Sequence, residues 1–101
     1  MKRTTYIVAV IDNYWKKNVH IVRIYGTEEE LKDAMLTMLT EYPEFGNGAW
    51  VTGCQKRKDI SYNNLTKTYF ASAEYPALSV RVYAIKEEDV TIFNPYPENC
   101  A

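Results

Sequence analysis

Leu31, Ala34, Met35, Met38, Leu39 and Tyr42 recur at steps of three and four, the spacing that lines up one face of an α-helix. Thr27 stands three residues before Glu30, and Glu28, Glu29 and Glu30 fill the first turn that would follow. That is the pattern of a capping box, with carboxylates where the helix dipole favours them. Pro43 disfavours helical geometry at Tyr42, so the spacing predicts a helix over 28–42. This is the clearest periodic signal in the chain. One helix covers only one face of a sheet, so the strands read around it should form a two-layer α+β sandwich.

Residues 4–11 read as a strand that is apolar on both faces, with Tyr6, Val8 and Val10 on one side and Ile7, Ala9 and Ile11 on the other. That pattern suits a central strand. Asp12-Asn13 begins a turn with Lys16-Lys17-Asn18 at its polar tip, and a second strand follows over 19–25. The pair predicts an antiparallel hairpin with a loop longer than the tightest type. Gly26 ends the second strand. Beyond the helix, 44–48 reads as loop, 49–55 as a third strand and Lys56-Arg57-Lys58-Asp59 as a charged turn. Residues 60–62 read as a short strand and 66–73 as either strand or irregular chain. Residues 78–86 form a strand with Leu78, Val80, Val82 and Ala84 on one face. Glu87-Glu88-Asp89 then turns the chain into the apolar run 90–93. Pro95 and Pro97 make 94–101 an extended tail that cannot continue a central strand. The expectation is α+β: an antiparallel sheet of about four to five strands with one main helix packed on one face. The chain is 101 residues long and fits a single domain over 1–101.

Several function classes find no support in the residues. The formal net charge of −1 creates no overall field toward nucleic acid or anionic lipid. The apolar run 6–11 is too short for a signal segment, and no stretch reaches the length of a membrane span. A cytoplasmic protein without membrane association is expected, with Cys54 and Cys100 as reduced thiols. One histidine and two distant cysteines lack metal-ligand spacing. The acidic clusters at 28–30 and 87–89 are accounted for by helix capping and a solvated turn. Gly46-Asn47-Gly48 is too short for a phosphate loop and lacks the following Lys-Ser/Thr. No metal and no cofactor are therefore expected. A small enzyme built on His20 or Cys54 is one alternative. His20 would need an orienting acid, which Asp12 could supply across the hairpin. The cations at 56–58 could lower the Cys54 thiol pKa. The commoner role of each residue is structural.

Nine tyrosines, three phenylalanines and two tryptophans are more than a thin core hides, so some should meet a partner. If Val22 and Ile24 face the helix, then Val19, Ile21, Arg23 and Tyr25 face away from it. If Leu78, Val80 and Val82 face the helix, then Ser79, Arg81, Tyr83 and Ile85 face away. Tyrosine, arginine and aliphatics together are the composition of protein-binding surfaces. Tyr14-Trp15-Lys16-Lys17, and Trp50 with Lys56-Arg57-Lys58, pair aromatics with cations, the mixture that stacks bases and contacts phosphate. Nucleic-acid binding is thus a second alternative, although the RNP pattern is absent. In general format, a short, tyrosine-rich, near-neutral chain with one helix on a sheet, the protein resembles small phage or mobile-element proteins, anti-CRISPR proteins among them. The resemblance implies an inhibitor that binds and blocks a host protein complex. The expected function is a non-enzymatic protein-interaction module. Its candidate partner-binding residues are Arg23, Tyr25, Arg81 and Tyr83, with Trp15, Lys16, Lys17, Lys56, Arg57 and Lys58 in the loops. The partner is a different protein or a second copy of the chain.

Overall fold

The capping box forms at Thr27. The Thr27 N–H donates to Glu30 Oε1 at 2.9 Å, and the Glu30 N–H donates to Thr27 Oγ1 at 3.2 Å. Two donors that a helix start would leave unpaired are thereby satisfied. The helix that follows, α1, spans Glu28–Glu41 in a computed structural model that describes residues 2–14, 16–41, 52–75 and 78–90. Before it come β1 (Thr4–Tyr14) and β2 (Lys16–Gly26). After it come β3 (Thr52–Gly53), β4 (Ser61–Asn63), β5 (Thr68–Tyr75) and β6 (Leu78–Lys86), with short 3-10 turns at Arg57–Asp59 and Glu87–Asp89.

Every pairing is antiparallel, and the strands lie in the order β2-β1-β6-β5-β3. The short β4 shares the outer edge of β5 with β3: Thr52 and Gly53 pair with Glu74 and Ala73, while Ser61, Tyr62 and Asn63 pair with Phe70, Tyr69 and Thr68. Helix α1 lies over β5 and β6 and reaches β2. This is the expected α+β arrangement of an antiparallel sheet with one helix on one face.

The face under α1 holds the core. Tyr6, Val8 and Val10 of β1, Tyr69, Ala71 and Ala73 of β5, and Val80, Val82 and Ala84 of β6 are buried with Leu31, Met35 and Leu39 of α1. The three alanines project only a methyl group, which lets helix and sheet backbones approach closely. Met38, read from the spacing as a core residue, is only half-buried; Leu39 is the third fully buried side chain of the helix.

The hairpin is tighter and longer than expected. The ladder runs from Thr4↔Gly26 to Tyr14↔Lys16, so a single residue separates the strands. Residues 12–14 and 16–18, read as turn, belong to the ladder. Pairing of β1 with β6 stops at Asp12, so beyond it the hairpin is a two-stranded ribbon with no helix-covered face to demand apolar residues. The third strand is also shorter than 49–55, since only Thr52–Gly53 pairs, while 49–51 lie outside the described residues. Gly53 has φ +136°, and a Cβ there would stand 2.3 Å from the Ser72 carbonyl oxygen, so no other residue fits without displacing β5. Residues 66–73 resolve into a turn and β5. The readings over 42–48, 91–93 and 94–101 lie outside the described residues.

Leu31→Ala or Met35→Ala should each cost about 2 to 5 kcal/mol, against about 1 kcal/mol for Thr27→Ala at the cap. Urea unfolding of the three variants reads this order directly; an equal or smaller loss for the core variants would contradict the seating of α1.

Candidate interaction surface

Directly opposed residues of an antiparallel ladder share a face, so the register fixes which side chains lie away from α1. Three rows cross that face. Arg23, Ile7, Ile85 and Thr68 form one; Ile21, Ala9, Tyr83 and Phe70 the next; Val19, Ile11, Arg81 and Ser72 the third. The sequence-predicted residues Arg23, Tyr25, Arg81 and Tyr83 therefore do share one face, as two pairs separated by β1. The contributions of Ile7, Ala9, Ile11 and Phe70 to this surface follow only from the strand order, which local periodicity does not contain.

Exposure is concentrated on β2. Ile21 and Tyr25 are each 69% exposed and Val19 55% on the helix-free face, and Val22 is 40% exposed on the other. Toward β5 the face is better packed, with the Phe70 and Tyr83 rings 5.0 Å apart and both half-buried. Arg23 pairs with Glu87 at 3.0 Å, whereas no described carboxylate pairs with the exposed Arg81. A separate apolar side chain, Leu65, stands 95% exposed in the β4–β5 turn, where Asn63 Oδ1 accepts the Leu65 and Thr66 N–H groups.

The basic loop over 56–58 is not part of this surface. It joins β3 to β4 at the opposite edge of the sheet from β2. Its central cation is already committed: Arg57 donates from Nε and Nη2 to the two Asp33 oxygens, both at 2.7 Å. Asp59 Oδ2 accepts the Gln55 and Lys56 N–H groups, so the segment is a turn clamped to α1, with Lys56 and Lys58 exposed. Trp15 lies outside the described residues, as do the side chains of Lys16 and Lys17, whose backbones open β2.

His20 lies exposed on the helix side of β2, opposite Val10 and one step along from the Asp12↔Asn18 pair, so Asp12 is its diagonal neighbour. Cys54 is a half-buried free thiol whose Sγ donates to the Asp59 carbonyl at 3.2 Å. Cys100 lies outside the described residues. Since β1, β6 and β5 stand between β2 and β3, His20 and Cys54 are separated by about 19 Å at the usual strand spacing. The two alternative enzyme residues thus lie toward opposite edges of the sheet. Among the described residues no group of three or more His, Cys, Asp or Glu is placed to hold a metal ion, and no described helix is long and apolar enough to cross a membrane.

A tyrosine cluster lies at the start of α1. Tyr69 donates its hydroxyl to Glu28 Oε2 at 2.6 Å, and the rings of Tyr6 and Tyr62 pack on its ring at 6.0 and 4.6 Å. Burial, then the bond to Glu28, pushes the Tyr69 phenol far above its ordinary range, and burial also raises Tyr6. Such phenols hold their protons at neutral pH, and the Tyr69–Glu28 bond ties β5 to α1. Comparison with family models, curated proteins and solved structures returns no match.

Contacts of this kind set an acid limit. The Tyr69 hydroxyl holds Glu28 below its ordinary value, the Thr27 N–H does so for Glu30, Arg57 for Asp33, and the Gln55 N–H for Asp59. A carboxyl lowered in the folded state contributes stability that is complete above its unfolded pKa and lost as pH falls through its folded pKa. Stability should therefore be level near neutrality and decline below about pH 4.5. Tyr69→Phe should cost about 1 kcal/mol at pH 7 and make that acid loss smaller. Urea midpoints at pH 7, 4 and 3 check both; an acid loss unchanged by Tyr69→Phe would remove Glu28 from the account.

Proposed function

We propose that this chain is a non-enzymatic, cytoplasmic protein-interaction module, working as a small stoichiometric inhibitor that docks its helix-free sheet face on a partner protein. The observation that carries the reading is the co-location on one face of Ile21 and Tyr25, each 69% exposed, with Arg23 and with Arg81, which pairs with no described carboxylate. Large apolar and aromatic side chains left in water gain free energy when a partner covers them, and arginine supplies planar, directional donors at their margin. Nucleic-acid binding ranks lower because Arg57, the middle cation of the basic loop, is held by Asp33.

Arg81→Glu and Ile21→Ser should each abolish capture of the native partner while shifting the melting temperature by no more than about 2 °C, because exposed positions contribute little to folding. Affinity capture from the native host, followed by mass spectrometry and repeated with each purified variant, reads this. Retention of the same partner by both variants would move the binding surface elsewhere. Binding of single-stranded nucleic acid that weakens steeply with salt would replace the reading altogether.

A further inference from the structure

The two edges of the sheet are built differently. Beyond β5 the edge is broken into the two-residue β3 and three-residue β4, with Gly53 and the clamped turn 57–59 between them. Short, interrupted and charged edges are the usual protection against strand addition. At the other edge β2 runs for eleven residues without proline or interruption, and no described strand pairs with its outer side. It also carries Val19, Ile21, Val22 and Tyr25, four of the seven exposed large apolar side chains of the described residues. A long, regular edge with apolar residues on both faces is a template for one more strand.

Charge selects the occupant. The strand opens with Lys16 and Lys17, and immediately past its other end stand Glu28, Glu29 and Glu30. Lys32 and Arg3 offset Glu28 and Glu30 in part, while Glu29 has no described ion pair. A second copy running antiparallel brings the lysine end of each strand to the glutamate end of the other, twice over. A parallel copy would set lysine beside lysine. Faces match across an antiparallel join only when both opposed residues point the same way, which leaves few registers. Centring the two-fold on Arg23 opposes two arginines. Centring it on Ile21 sets Asn18 against Ile24 and Lys17 against Tyr25. Centring it on Val22 opposes Val22 to itself, Val19 to Tyr25 and Ile21 to Arg23. The ladder then closes at Asn18↔Gly26, and Lys16 and Lys17 run on beside the other copy's Thr27 and Glu28.

We infer that two copies of this chain join β2 to β2 about a two-fold axis at Val22, forming one continuous antiparallel sheet with both α1 helices on the same side. Joining is edge to edge, so it leaves the helix-free faces open and sets two of them side by side. The inference rests on the edge, and the proposed function on the face, so the two stand or fall separately.

Sedimentation velocity across a dilution series of the purified chain tests this. The wild type should sediment as a dimer at high concentration. Val22→Lys should weaken the dimer by roughly tenfold or more, since opposed lysines repel and edge lysines block pairing. Lys16→Glu should also weaken it, since that position runs beside the other copy's Glu28. In a Cys54→Ser, Cys100→Ser background, Val22→Cys should form an intermolecular disulfide on mild oxidation and Tyr62→Cys should not. A wild-type monomer at every concentration overturns the inference. So does a dimer indifferent to Val22→Lys, a monomer that dimerises only after deletion of residues 91–101, or an edge that takes only a strand of another protein. A monomer that still captures a partner through Arg81 sinks this inference and spares the function; a β2-linked dimer that captures nothing does the reverse.

Discussion

Burial of Leu31, Met35 and Leu39 on the sheet floor of Val8, Val10, Val80, Val82, Ala71 and Ala73 is the contact on which the rest of the molecule hangs. An antiparallel sheet of this size with no cover has two wet faces and little apolar area removed from water. The helix supplies the missing layer for one face. Its placement is fixed at the N-terminal end by the Thr27–Glu30 box and by Tyr69 on Glu28, and along its side by Arg57 on Asp33. None of those polar contacts would hold α1 in water alone, because exposed ion pairs are weak. They select one orientation of a helix that the apolar contact has already bound.

A single helix also decides what remains uncovered. It lies over β5 and β6 and only reaches β2, so the edge strand keeps most of its apolar surface in solvent, even on the helix side at Val22. The opposite face has no described element packed across it. The same constraint that makes the core thin thus leaves a surface suited to association, and binding is where the free energy of that surface can be recovered.

The sequence carried the helix plainly, because capping, dipole and period all agreed over one stretch. It also carried the facing of β2 and β6, where alternation separates Val80, Val82 and Ala84 from Arg81 and Tyr83. It did not carry the length of the hairpin: Asp12 to Asn18 look like turn residues, and in a ribbon beyond the sheet nothing forces them to look otherwise. The far edge was obscured by Gly53, whose role depends on the approach of the Ser72 carbonyl from a distant strand. Of the candidate surface, the Arg23, Tyr25, Arg81 and Tyr83 set was readable from alternation. That β1 stands between its halves was not, since strand order is a property of long-range pairing. The basic loop read as an independent patch because its neutralising partner, Asp33, lies on α1 far away in sequence.

Hydroxyl-radical footprinting with residue-level mass spectrometry addresses the division between the covered and uncovered faces most directly, since methionine and tyrosine report solvent contact in proportion to their exposure. In dilute solution Met35, Tyr6 and Tyr69 should stay protected until the chain is unfolded, while Tyr25 and Ile21 are modified freely. Rapid oxidation of Met35 in the native protein, or protection of Tyr25 and Ile21 in the isolated chain, would contradict a sheet covered by its helix on one side alone.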